Sequence, residues 1–318
     1  MVVTPTPRFD VIGVGANSVD YVYRLPAYPE PEGPNAKMRV TSHAVLCGGQ
    51  VTTALATCAA LGLRTKYVGA FGADHNGRRI REELARRAID TSDAVVRESP
   101  NPFAVILLAE DAGERIVLWD RDERLALQRQ ELPGAAITHA RVLHVDDVDQ
   151  PAAISAARMA REAGVPVTSD IDRLTESTDE LVASVTIPIF AEHVPPALTG
   201  QSDPERALRQ IKREHHRLVC VTLGARGAML LDGDRIYHEP AFQVHVVDTT
   251  GSGDVFRGAF IYGLLQQKGP EELLRFANAT AGLSCTRAGA MDGVPRAEEI
   301  AKLLNDGTLL DVTGIRRG

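Results

Sequence analysis

The sequence predicts an α/β protein: a mostly parallel sheet covered by helices on both faces, with a small β-element projecting from it. Three observations predict it. From Arg141 onward, strand-like and helix-like segments alternate as RVLHV, PAAISAARMAREAG, VPVTSDI and TDELVASV, the rhythm of parallel strands joined by crossover helices. Residues 21–23 with 37–46, and residues 103–108 with 115–119, read as two strand pairs outside that rhythm. The string DTTGSGDVFRGAF, residues 248–260, reads as strand, tight turn and helix: the β-branched run Val244, Val246 and Val247 leads in, and Phe256, Ala259, Phe260 and Leu264 recur at helical spacing.

Length and composition narrow the function. With 318 residues, 44% of them hydrophobic, the chain has ample material for a buried core. Its formal charge is −7 with no lysine- or arginine-rich block, so the footprint expected for nucleic acid or anionic lipid is missing. A small-molecule partner is the expectation. The N-terminal MVVTPTPRFD lacks a basic region followed by an apolar one, and no window approaches the roughly 18 apolar residues of a membrane span. That predicts a cytoplasmic protein. Cys47, Cys58, Cys220 and Cys285 form no C-x-x-C pair, which argues against a zinc cluster and for reduced thiols.

In chain order, Val11–Val14 is an apolar strand that turns at Gly15. The third glycine of a dinucleotide fingerprint is replaced by Ser18, and no helix pattern follows. Asp20 instead leads into a second strand, where its carboxylate can accept sugar hydroxyls or cap a turn. Residues 26–37, rich in proline and glycine, form a loop, and the strand at 37–46 follows. Gly48 and Gly49 allow close backbone approach to a ligand and open a helix with the small residues Ala54, Ala56, Ala59 and Ala60. A strand at 66–70 and a solvated helix at 78–87 come next. The second strand pair is joined by EDAGE with its turn at Gly113.

In the alternating half, two strands end in acids, Asp146 with Asp147 and Asp170 with Asp172, where a parallel sheet positions ligands. Either pair can position substrate or magnesium, or serve as turn and cap residues. Residues 218–223 form a buried strand, followed by a hairpin turning at Asp232-Gly233-Asp234, and Pro270 with Glu271 and Glu272 opens a late helix.

The turn at 251–253 carries the chemistry. Gly251, Ser252 and Gly253 are small enough for successive amides to converge, and the following helix directs its positive end to the same point. Asp254 stands beside this anion site, where a carboxylate can take a proton from an incoming hydroxyl while amides hold a phosphoryl group. The plainer reading is a helix N-cap. Near a helix N-terminus Asp254 is expected to be ionised at neutral pH.

Asp248, Thr249, Gly251, Gly253 and Asp254 match D-T-x-G-x-G-D, and the chain resembles the PfkB carbohydrate kinases of the ribokinase family. The resemblance runs from about Val11 to Leu304, with CGGQVTTALATCAALG similar to the N-terminal signature and Thr222, Gly224 and Gly227 to a T-x-G-x-x-G motif. It implies a ribokinase-like three-layer α/β/α core from residues 1–19, 47–101 and 121–318, with a β-sheet lid from 20–46 and 102–120. It implies ATP-dependent phosphorylation of a sugar hydroxyl with Mg2+, Asp254 as catalytic base and the Gly251–Gly253 amides as anion hole. Asp20, Gly48, Gly49 and Thr53 would contact the sugar. Trp119, Asp120 and Arg121 match no family pattern and read either as lid contacts to substrate or as a strand end followed by charged loop residues. Thr222, Gly224, Gly227, Thr249, Asn278 and Ala281 would hold the nucleotide. A K+ site would draw on Asp248, Thr250, Cys285 and Gly289, and the exposed lid edges would suit a homodimer.

Two departures stand out. Thr53 replaces the family's usual asparagine, and aligning on Leu198-Thr199-Gly200 puts Ala191 and Val194 where the magnesium-organising N-x-x-E is expected, leaving nearby Glu192 as a substitute. The alternatives are a nucleoside kinase on the same fold, or a sugar- or nucleotide-binding protein without turnover. No P-loop G-x-x-x-x-G-K-[ST] exists in the sequence.

Overall fold

The computed structural model describes residues 8–109 and 115–311. β1 (Val11–Val14) is buried along its whole length because it has neighbours on both sides and helices on both faces. The chain then leaves the core for β2 (Ser18–Leu25) and β3 (Ser42–Gly48) and returns through the helix Gln50–Ala60 to β4 (Thr65–Val68). It continues into β5 (Ala70–Gly72), which pairs with β6 (Val95–Arg97), and leaves again for β7 (Phe103–Ala109) and β8 (Arg115–Asp120). β9 (Val142–Asp146), β10 (Val167–Asp170), β11 (Ile189–Ala191) and β12 (Leu218–Thr222) follow with helices between them, and β13 (Ala228–Asp232) and β14 (Arg235–Glu239) form the expected hairpin.

The order in the main sheet is β4-β1-β9-β10-β11-β12-β13-β14, parallel up to β12 and antiparallel beyond it. The parallel bridges Thr168 to Ile187 and Ile171 to Phe190 join its two halves. Side chains alternate across it: Ile12, Leu143, Val219 and Leu231 enter a core with the helix Gln150–Glu162, whereas Val11, Val142, Cys220 and Leu230 face cores with the helices Gln50–Ala60, Ser252–Leu265 and Pro270–Ser284. This is the predicted layering.

The two projecting strand pairs merge into one small sheet, β3-β2-β7-β8, in which β2 and β7 are parallel and the outer pairs antiparallel. Its register puts Leu46, Asp20, Ala104 and Trp119 in one cross-strand row, on one face.

Several predicted elements move. β3 starts at Ser42 rather than at residue 37 and runs on to Gly48. The strand expected at 66–70 breaks at Gly69, where a Cβ would lie 2.0 Å from the Tyr67 hydroxyl, and its halves pair with different partners. The helix expected at 78–87 begins at His75, since Asp74 caps it through the Gly77 amide at 2.9 Å. The turn at Gly113 lies outside the described residues. Val244, Val246 and Val247 form no ladder; their β-branched pattern belongs to an unpaired segment bordering a cavity. Among the described residues no helix is long and apolar enough to cross a membrane.

Candidate active site

The helix Ser252–Leu265 starts after Gly251, whose φ of 73° lies in the left-handed region, and a Cβ there would be 2.4 Å from the Cβ of Ala290. Glycine is therefore required both by the backbone and by its neighbour. The Ser252 amide turns back to the Thr249 carbonyl at 3.2 Å, and Val255, Phe256, Ala259 and Phe260 bury the helix in the core. Its first amides and positive dipole end thus stand on a fixed base at the mouth of a cavity.

Asp254, in the first turn, is half-buried. Burial first, and then the facing Asp170 carboxylate, push its pKa well above the usual carboxylate range, partly offset by Arg257. The expectation of an ordinary ionised aspartate is corrected here: a helix N-terminus contributes only about 0.3–1 kcal/mol, less than burial beside a like charge. Asp170 ends β10, is itself buried, and has its pKa raised to about 6 by burial despite Arg257. Arg257 Nη2 lies 2.7 Å from Asp170 Oδ1.

The cavity beside this helix measures about 570 Å³, the size of a small-molecule site. Thr222, Gly224, Gly227, Thr249, Asn278 and Ala281 all line it, together with Ser252 and Gly253. Phe242, Val244, Val246, Phe256 and Leu310 are among the other wall residues, and sequence alone does not mark them as lining, because apolar lining and apolar core look alike before the chain is folded. Asn278 does not aim its amide into the space: Nδ2 donates to the carbonyls of Glu239 at 2.7 Å and Pro240 at 3.2 Å, fixing the wall. Gly227 is needed because a Cβ would sit 2.0 Å from the Glu239 carbonyl oxygen.

The end of β10 brings Asp170 towards Asp254, and the small sheet carries the acceptor-side candidates. Asp20 is buried, accepts the Ser18 hydroxyl at 2.8 Å and has its pKa raised to about 6, mainly by burial. Gly48 makes room for that carboxylate, since a Cβ would lie 2.4 Å from Asp20 Oδ2, and Gly49, at φ 101°, would clash with Asn17. Their close approach is therefore to the protein's own residues. Thr53 is buried next to Gly251, with Oγ1 unpartnered.

Trp119 is exposed, and the Arg173 guanidinium lies 5.4 Å from its ring centroid. Arg173 is held in turn by Asp147 through two contacts of 3.1 Å. Arg121 turns away to the Leu125 carbonyl and Asp149. Asp146 accepts the amides of Ala16 at 2.7 Å and Val148 at 3.0 Å, which closes the gap between the ends of β1 and β9. Asp146, Asp147 and Asp170 are thus engaged by protein groups.

Residues 16–297 match the family described as pfkB family carbohydrate kinase. The chain belongs to that family. An ATP-dependent ribose-1-phosphate kinase of Halopiger xanaduensis is 28% identical over 93% of this chain and 98% of that protein. A ribokinase of Arabidopsis thaliana is 31% identical over 92% of this chain and 80% of that protein. The structure of Arabidopsis thaliana ribokinase with ribose and ATP aligns at a TM-score of 0.78 and 25% identity, covering 93% of this chain and 98% of that one. The pfkB kinase fold is ribokinase-like, as the sequence implied.

The metal candidates of this pfkB kinase divide into two cases. Asp248, Thr250, Cys285 and Gly289 do come together: Asp248 accepts the amides of Thr250 and Gly289, each at 2.9 Å, while the Cys285 carbonyl accepts the amides of Val247 at 2.8 Å and Asp248 at 3.2 Å. The buried, unpartnered Thr250 Oγ1 adds an oxygen suited to a weakly hydrated cation. Glu192, by contrast, is half engaged by Arg226 at the surface and lies outside the cavity wall. Among the described residues no cluster of three or more His, Cys, Asp or Glu side chains could hold a metal ion. The residues present do not fit a magnesium ion held by protein side chains.

Proposed function

We propose that this pfkB kinase transfers the γ-phosphoryl group of ATP, taken as its magnesium complex, to a hydroxyl of a small sugar. The observation that carries this reading is Asp254 in the first turn of a helix whose Ser252 and Gly253 line a nucleotide-sized cavity. ATP supplies the phosphoryl group; Thr222, Gly224, Gly227, Thr249 and Ala281 line the space for its base, ribose and phosphates. Asp254 takes the proton of the attacking hydroxyl, and the amides of Gly251, Ser252 and Gly253 stabilise the charge developing on the transferred group. Asp20 accepts sugar hydroxyls, and Gly48, Gly49 and Thr53 shape the floor beneath them. A potassium ion at Asp248, Thr250, Cys285 and Gly289 would brace the anion hole from behind.

In this reading the small sheet is a lid, with Trp119 above the acceptor. Ile116, Val117 and Leu118 on its outer strand are exposed, and a second copy would cover them; sedimentation at micromolar concentration tests for that dimer. The function itself is tested by coupled ADP release over a panel of pentoses, hexoses, sugar phosphates and nucleosides, with Asp254→Asn as control. Sugar-dependent release that the variant loses supports it. Release with nucleosides alone would make the chain a nucleoside kinase, and binding without release would overturn catalysis.

A further inference from the structure

We propose that Asp170 and Arg257 are positioning residues for Asp254: their buried ion pair, on the helix face that Asp254 shares, fixes where the carboxylate points and sets its charge. This rests on the reading of Asp254 as general base. Arg257 follows Asp254 by three residues on the same helix, so both side chains lie on one face. Asp170 approaches from the end of β10, and the 2.7 Å contact joins helix to sheet with both side chains at 3% exposure or less.

Gly253 belongs to this arrangement. A Cβ there would lie 2.7 Å from Arg257 Nη1, so the guanidinium is folded back against the turn whose amides form the anion hole. A buried ion pair is seldom better for stability than apolar residues of the same volume. Its place on the helix face of the catalytic side chain therefore calls for a second account.

The charges that act on Asp254 are those of Asp170 from β10, Arg257 from its own helix and Asp172 from the segment beyond, with Asp147 acting in turn on Asp170. On the next strand, His144 is buried with Nδ1 3.0 Å from Thr168 Oγ1, and burial and Arg257 hold it neutral, its pKa pushed down to about 3. Of the two carboxyl groups only Asp170 touches the guanidinium, whose charge still reaches Asp254. As phosphoryl transfer proceeds, the acceptor O–H bond breaks, its oxygen bonds to phosphorus, the bond to the ADP oxygen breaks, and the proton stays on Asp254 facing Asp170.

The pair makes a prediction of opposite signs. Asp170→Asn removes a like charge and should lower the Asp254 midpoint by about one pH unit, whereas Arg257→Met removes the compensating cation and should raise it by a similar amount. A merely structural pair would move neither, or both alike. The midpoint is read by carboxyl-carbon NMR of full-length protein labelled at aspartate, with the Asp254 signal assigned by its loss in Asp254→Asn, and again from the acidic limb of kcat. KM for ATP and acceptor should stay within about threefold while kcat falls about tenfold or more through misplacement.

Unmoved midpoints, or shifts in the same direction, would overturn the proposal. Should Arg257→Met fail to fold, Asp170→Asn/Arg257→Met, which buries no unpaired charge, replaces it: wild-type kcat at its own optimum would count against the proposal, and a loss of about tenfold for it. If no acceptor is turned over at all, the NMR titration still decides this point, and the assignment of a kinase reaction is what fails.

Discussion

Asp248 accepts the Gly289 amide at 2.9 Å through one carboxylate oxygen while its other oxygen takes the Thr250 amide at the same distance. One side chain thereby locks the loop before the helix Ser252–Leu265 to the loop after the helix Pro270–Ser284. The turn proposed to hold the transferred phosphoryl group is thereby fixed by the fold itself, as catalysis by electrostatic stabilisation requires.

Gly251→Ala tests how tight that lock is. Alanine would be held at φ 73° with its Cβ 2.4 Å from that of Ala290, at a cost of at least about 1–2 kcal/mol. The melting temperature should fall by at least about 2–4 °C, and turnover should fall with it because the turn must shift. An unchanged melting curve with full activity would show that the turn is not constrained as described.

The cation proposal predicts that potassium raises activity several-fold over an equal concentration of tetramethylammonium, with sodium between them. Asp248→Asn should remove most of that difference. Equal rates in all three salts would exclude dependence on this site.

What could be read in advance was local. Gly251, Gly253 and Asp254 lie within one turn, and their backbone needs are written in residue type, so the strand-turn-helix signal needed little tertiary information. Fold class was equally accessible because buried parallel strands and crossover helices have different periods. The charge state of Asp254 was not: Asp170 reaches it from another strand, and a pairing between distant segments leaves no spacing to recognise. Val244 to Val247 misled for the opposite reason, since residues lining a cavity can alternate like a strand without pairing as one. Gly48 and Gly49 are legible as sites of close approach, but only the fold identifies Asp20 and Asn17 as what they approach.

Trp119 offers a direct optical test of the acceptor side. It is the single tryptophan of the chain and 62% exposed, in the cross-strand row of Asp20. Binding of a true acceptor should shift its emission to shorter wavelength, whereas ATP alone should leave it nearly unchanged. Trp119→Ala should alter stability by no more than about 0.5 kcal/mol while raising acceptor KM about 5- to 10-fold, the loss of one aromatic contact. An acceptor that is turned over without affecting the emission would remove Trp119 from the site.

Asp254 carries the decisive experiment. Asp254→Asn keeps size and helix-capping ability but cannot take a proton, so kcat should fall about 10²- to 10⁴-fold with nucleotide affinity nearly unchanged. The pH dependence separates base from cap a second time. Since burial and Asp170 raise the Asp254 pKa, the catalytically competent carboxylate is gained as pH rises through that raised value, and kcat in the wild type should climb on an acidic limb well above the ordinary carboxylate range. The same shift has a sign for stability: between the unfolded value near 3.8 and the raised folded value, the folded state holds the extra proton, so this group's contribution to stability declines as pH rises across that window. Asp254→Asn should abolish that decline as well as the limb. A variant with near-wild-type kcat, or a wild-type profile flat down to pH 4, would reduce Asp254 to a helix cap.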